Sequence, residues 1–182
     1  MPPAMRDASR RLCLLRHAKS SWDDPSLPDF DRPLARRGRD AAPRIGGWMA
    51  EAGLKPDLVL CSSAARTRQT WEIVAPYLGR QAEVIFSRAI YEAPWDRLVS
   101  ELRGLPDAAA TVVLIGHNTG MEDLAARLAG AGSDAGALAG MRRKFPTAAV
   151  AVFDVAMGSW ADLAPQGARL GAFVRPKDLE RR

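Results

Sequence analysis

The chain has 182 residues, enough for one ordinary domain with a buried core, and 47% of them are hydrophobic against 26% charged. No apolar stretch approaches the roughly 20 residues that a membrane-spanning helix needs. The formal charge is +5, yet the basic residues are scattered (Arg36-Arg37, Arg142-Arg143-Lys144, Arg181-Arg182) and not interleaved with aromatics, a pattern that argues against a nucleic-acid binder, and a site for a small anionic group explains some of the positive charge equally well.

The opening "MPPAMRDASRR" is polar and basic and runs into no apolar signal-peptide core of about 7–15 residues. Residues 1–10 therefore read as a flexible tail before a single domain over 11–182, and the cytoplasm is the expected location. Leu12–Leu15 reads as a first strand. Leu34 to Ala52 carries helix periodicity up to a stop at Gly53, with Pro43 and Gly46-Gly47 marking a kink or a break. Pro56–Cys61 is a second strand, Thr67–Tyr77 a helix with Trp71, Val74, Ala75 and Leu78 on its apolar side, Ala82–Phe86 a third strand, and Trp95–Arg103 a helix. The uninterrupted apolar run Thr111–Ile115 predicts a strand at the centre of a sheet. Met121–Ala129 is a helix, the glycine-rich "AGAGSDAGALAG" a loop, and Ala148–Asp154 with Trp160–Leu163 a strand–turn–strand pair. Alternation of this kind predicts an α/β fold, a three-layer sandwich on a mostly parallel sheet. Cys13 and Cys61 fall in predicted strands without CxxC spacing, so both read as free core thiols rather than a disulfide or a zinc site.

Ligands of such sheets bind beyond the carboxyl ends of the strands. Three strands here end in polar clusters: Arg16-His17 after the first, "CSSAARTRQT" with Arg66 after the second, and "IGHNTG" with His117 after the fourth. Both histidines of the chain are thus delivered to one edge of the sheet. Two arginines can clamp a phosphate through fixed forks of donors, and arginine, which does not deprotonate, is a clamp and never a base. A neutral imidazole is a nucleophile toward phosphorus near neutral pH, and a second one can donate to the phosphoryl oxygens as charge builds.

"LLRHAKS" resembles the Arg-His-Gly signature of the histidine phosphatase superfamily, the phosphoglycerate mutase-like fold. "CSSAARTRQT" resembles that family's second arginine block and "LIGHNTGMEDL" its second histidine block, while "FDRPLARRG" and "KFPTAAVAVFD" resemble the small SixA-type branch of phosphohistidine phosphatases. The likeness runs from about Arg11 to Phe173. It implies His17 as a nucleophile that becomes phosphorylated, with Arg16, Arg66 and His117 lining the phosphate pocket. It also implies a carboxylate that protonates the leaving group: Glu92, in "IYEAPWD", lies in the matching region, with Asp23 and Asp24 as competitors. The implied activity is that of a metal- and cofactor-independent phosphatase acting on phosphohistidine in proteins, with phosphate esters of small molecules, or phosphate binding without turnover, as rivals. Two departures stand out. Ala18 replaces the usual glycine, and Lys19 stands where many members carry glutamate. Long lid-forming insertions are missing, which implies an open, shallow site. Outside the main motifs, Thr147 is a candidate to face the site, Arg32 and Asp31 to tie down the loop after the first strand, and Gly120 to allow close backbone approach at a helix start.

Overall fold

Alternate residues of the first strand belong to different cores. In β1 (Ser9–Arg16), Leu12 and Leu14 join one buried cluster, and Cys13 and Leu15 the other. The same alternation holds in β4 (Thr111–Gly116), where Val112 and Leu114 face one side, and Val113 and Ile115 the opposite side. A strand apolar on both faces is stable only when both faces are covered. The computed structural model, which describes residues 9–79 and 81–180, shows how they are covered. Helices α1 (Arg36–Glu51) and α2 (Ala65–Leu78) pack Ala42, Ile45, Met49, Trp71, Val74 and Leu78 on one face. Helices α3 (Trp95–Arg103), α4 (Gly120–Leu128) and α5 (Ala135–Arg143) cover the other with Leu98, Leu102, Met121, Leu124, Leu128 and Met141. The result is a three-layer α/β sandwich.

The six strands add β2 (Leu58–Ser62), β3 (Glu83–Ser87), β5 (Val150–Ala156) and β6 (Arg169–Val174), in the spatial order β3-β2-β4-β1-β5-β6. The first four positions are mutually parallel, whereas β5 runs antiparallel to both of its neighbours. The run Thr111–Ile115 is central, as its composition predicts. Its neighbour on one side is β1, with Arg16 opposite Gly116 in register. That register puts the next residue of each chain segment, His17 and His117, at the same height above the sheet.

Several expectations need correction. β1 begins at Ser9, inside the predicted tail, because Arg10 is buried and its guanidinium donates to the carbonyls of Asp107 and Gly158, both at 2.6 Å. Residues 1–8 of that tail, and Arg181-Arg182, lie outside the described residues. Helix α1 runs unbroken through Pro43 and Gly46, and Gly46 is where the α2 side chain Tyr77 packs: a Cβ there would lie 2.7 Å from its ring. The second half of the glycine-rich loop is α5, capped by the Asp134 carboxylate accepting from the Ala137 N–H at 2.8 Å. Trp160–Asp162 is a single 3-10 turn, not a strand. Trp160 is fully buried and its indole N–H donates to the Ala109 carbonyl at 2.8 Å, so burial is achieved without a ladder. The strand that pairs with β5 is β6 instead. The two cysteines are free and buried, as expected. No helix among the described residues is long and apolar enough to cross a membrane.

Candidate active site

The shared register of β1 and β4 brings the two imidazoles to 5.2 Å between ring centres. His17 is 6% exposed and His117 3%, so both are buried, in contrast to the open site expected from the lack of insertions. The segment between β1 and α1 is fixed next to them. It is tied down by Arg32, which donates to the Ser20 hydroxyl (3.0 Å), the Ser21 carbonyl (3.1 Å) and the Asp29 carboxylate (3.0 Å), and whose guanidinium lies 3.5 Å from the centre of the Trp22 ring. Arg32 therefore anchors the loop as expected, while Asp31 is exposed and makes no comparable tie.

Nδ1 of His17 lies 2.7 Å from the Ala18 carbonyl oxygen. A carbonyl only accepts, so Nδ1 carries the proton and the lone pair resides on Nε2. Nε2 of His117 lies 2.7 Å from the Ser62 hydroxyl, at the end of β2. Burial pushes His17 down to about 3, against the Ala18 hydrogen bond and with help from the Arg66 and Arg16 charges. Burial followed by the nearby His17 pushes His117 down to about 2. Both rings are neutral at pH 7.

This shift has a consequence for stability. The unfolded histidines, with pKa near 6.5, bind protons that the folded ones refuse, so stability is full above pH ~6.5 and falls as pH drops toward ~3. Each histidine contributes a slope of at most about 1.4 kcal/mol per pH unit. The urea midpoint should decline between pH 6.5 and 4.5, and the His17→Gln/His117→Gln variant should flatten that decline. Parallel curves for the two proteins would show that the rings titrate normally.

Arg66, on the first turn of α2, is 3% exposed at its side chain and reaches three acceptors: the Asp29 carbonyl (2.7 Å), the Asp29 carboxylate (3.1 Å) and the Glu92 carboxylate (2.9 Å). Arg16 donates to the Phe145 carbonyl at 3.0 Å, and the Asn118 amide donates to the same oxygen at 2.9 Å. Among the described residues, five buried side-chain nitrogens or oxygens have no hydrogen-bond partner, and four belong to this cluster: Arg16 Nε, Arg66 Nε, His117 Nδ1 and Asn118 Oδ1. Three of the four are ring or guanidinium nitrogens and the fourth, Asn118 Oδ1, is an acceptor; unpaired buried polar groups are costly and rare in folded proteins, so their concentration here marks a candidate site for a polar ligand.

Glu92 is at the site. Its carboxylate lies 3.7 Å from His117 Nδ1, and its backbone is held at φ 51°, a left-handed conformation that is strained for a non-glycine residue. Gly120 makes room for the same turn, since a Cβ there would lie 1.9 Å from the Ala93 carbonyl. Ala148, at φ 60°, donates its N–H to the carbonyls of both Arg16 and His17. Asp23 and Asp24 are exposed, with Asp24 engaged by Ser26, so neither is brought to the imidazoles. Lys19 is exposed and Ala18 fully buried, its N–H donating to the Thr70 hydroxyl. Thr147 precedes β5 and lines a groove beside the site.

Sequence reading missed three members. Ser62 sets the orientation of His117. Tyr91 stands edge-on to the His117 ring at 5.4 Å and donates its hydroxyl to Asp29 at 2.5 Å. Burial alone would raise the Asp29 carboxyl, but the hydrogen bonds from Tyr91 and Arg32 and the charge of Arg66 hold it at about 2. Asp29 is thus a fixed anion at neutral pH and no proton donor. Its spacing from the histidine motif gives no periodic signal, and only the loop path brings it to Arg66.

A family model described as the histidine phosphatase superfamily (branch 1) matches residues 12–99, which include Arg16, His17, Arg66 and Glu92. An uncharacterized protein of Mycobacterium tuberculosis is 37% identical over 164 residues, spanning 90% of this chain and 100% of its own. Among solved structures, a candidate SixA phosphohistidine phosphatase from Nakamurella multipartitia superposes with a TM-score of 0.80 at 31% identity, covering 92% of this chain and 96% of its own. One from Agrobacterium tumefaciens gives 0.75 at 31% identity, covering 92% and 98%. With the paired histidines at the ends of adjacent strands, this sustained likeness places the chain in the histidine phosphatase superfamily.

Proposed function

We propose that this phosphatase removes phosphoryl groups from phosphohistidine in proteins, without a metal, through a phosphorylated His17. The observation that carries the reading is the neutral His17 ring, whose Nδ1 is bonded to Ala18 and whose Nε2 keeps its lone pair, beside the unpartnered donors of Arg16, Arg66 and His117. In the first step the Nε2 lone pair forms a bond to phosphorus while the P–N bond of the substrate breaks. Its electron pair goes to the departing imidazole, which is neutral if its other nitrogen carries a proton. In the second step water attacks, the Nε2–P bond breaks, and the water proton leaves with phosphate or passes to Glu92. Ser62, donating its hydroxyl proton to Nε2 of His117, would leave that ring's Nδ1–H to stabilise the phosphoryl oxygens. The likeness to the two structures named for SixA phosphohistidine phosphatases supports the substrate class.

The choice between phosphohistidine and phosphate esters turns on the leaving group. An alkoxide needs a proton as it departs, and a general acid typically contributes about 10²–10⁴-fold there, whereas a neutral imidazole leaves unaided. Glu92 is half-exposed, on the rim rather than in a dry pocket. Glu92→Gln should therefore depress hydrolysis of an alkyl phosphate by about 10²-fold or more and of a phosphohistidine peptide by less than about tenfold. The measurement is kcat/KM on both substrates in both proteins. A wild-type enzyme that prefers the alkyl phosphate, with both activities lost equally in the variant, would assign it to phosphate esters.

A further inference from the structure

Positive charge is also gathered in a concavity that Lys19, two residues beyond His17, helps to line. Among the described residues, a groove of about 530 Å³ is lined by seven basic side chains and two acidic ones, Asp40 and Glu180. Arg44 is paired with Glu180 at 3.3 Å and Arg175 with Asp178 at 2.9 Å. Lys19, Arg37, Arg143 and Lys144 are exposed and have no ion-pair partner among the described residues. Cations that outnumber the anions in one concavity repel one another, an arrangement that a complementary anion relieves.

The groove is joined to the site through the backbone. Lys19 follows His17 by two residues. Lys144, Pro146 and Thr147 flank Phe145, whose carbonyl is held by both Arg16 and Asn118. The next residue, Ala148, binds the carbonyls of Arg16 and His17. One wall of the groove is therefore the same strap that positions the clamp and the nucleophile. The facing wall comes from α1 and the turn at 175–180.

We propose that this groove docks the acidic segment flanking the phosphorylated residue of a protein substrate, with aspartate and glutamate side chains meeting Lys19, Arg37, Arg143 and Lys144. The assignment rests on the protein-substrate reading above. The chemistry favours polypeptide over nucleic acid. No aromatic side chain lines the groove, so bases would find no stacking face, and Asp40 and Glu180 would oppose a continuous phosphate backbone. Discrete carboxylates can be spaced between them.

The test is binding of a fluorescein-labelled, unphosphorylated peptide with a central histidine and glutamate flanks, compared with the same peptide with glutamine flanks, by anisotropy at low and high salt. The glutamate peptide should bind at least about tenfold more tightly than the glutamine peptide, and lose that advantage at high salt. Arg143→Glu/Lys144→Glu should remove the advantage. Lys55→Glu/Arg97→Glu, with the same change in net charge outside the groove, should retain it. Turnover of a small aryl phosphate, which reports folding and the catalytic centre, should stay within about twofold in both variants. If Arg143→Glu/Lys144→Glu proves unstable, Arg143→Gln/Lys144→Gln replaces it. Equal binding of the two peptides, or equal losses in the groove and control variants, would overturn the proposal. So would preferential, groove-dependent binding of a single-stranded oligonucleotide over the glutamate peptide. Groove-dependent binding of the peptide with no hydrolysis of its phosphohistidine form would instead leave docking standing and refute the substrate assigned above.

Discussion

Substituting alanine for His17 is expected to reduce turnover by about 10⁴-fold or more and to abolish any phosphorylated enzyme. No other side chain can take over the attack. His117 is the only other histidine of the chain, and its Nε2 is engaged by Ser62 at 2.7 Å. Rapid quench with ³²P-labelled substrate should trap label on the wild-type protein. Because the linkage is a P–N bond, the label should be lost in acid and retained in base. The variant should still fold, since removing a buried imidazole that refuses protons also removes a source of acid sensitivity. Phosphate should still bind it weakly through Arg16 and Arg66. Label of normal amount on His17→Ala, or label that survives acid, would end the phosphohistidine mechanism.

Arg66→Ala is expected to cost about 10²–10³-fold in kcat/KM, the usual effect of removing one preorganised donor to a transition-state oxygen. Arg66→Lys should recover little of it, because an ammonium cannot reproduce the planar fork that here reaches Asp29 and Glu92 together. Asp29 keeps its ties to Tyr91 and Arg32 in the variant, so the loop over the site should hold and the urea midpoint should move little. A Lys variant with near wild-type kcat/KM would make Arg66 a point charge rather than a clamp. An Ala variant that unfolds while its refolded fraction remains fully active would make it structural.

Much of this site is legible before folding because its residues follow strands, and strands announce themselves. Leu12–Leu15 and Thr111–Ile115 are short apolar runs that end in Arg16-His17 and Gly116-His117. Parallel strands of a doubly covered sheet end on one edge, so the histidines were bound to share it. Helix α3 and the core cysteines followed equally directly from local pattern. Where several weak local preferences competed, pattern failed. The chain around Asp134 carries glycines that disfavour a helix, yet α5 forms there because Asp134 caps it and Phe173 packs against Gly140. Trp160–Leu163 has the look of a strand, but what decides its form is the pocket that receives the indole.

The sequence by itself therefore determined the alternation of layers, the four residues at the strand ends and their chemical repertoire, since each depends on hydrophobic period and residue type over a few neighbours. Only the tertiary structure decided that β4 lies between β1 and β2, which turns two histidines a hundred residues apart into rings 5.2 Å apart. It also decided which carboxylates reach Arg66, which hydroxyl orients His117, and that Lys19, Arg37 and Lys144 share one groove. These are contacts between segments far apart in the chain. They are set by the register of one strand on another and by the path of a loop over them, and no local propensity encodes either.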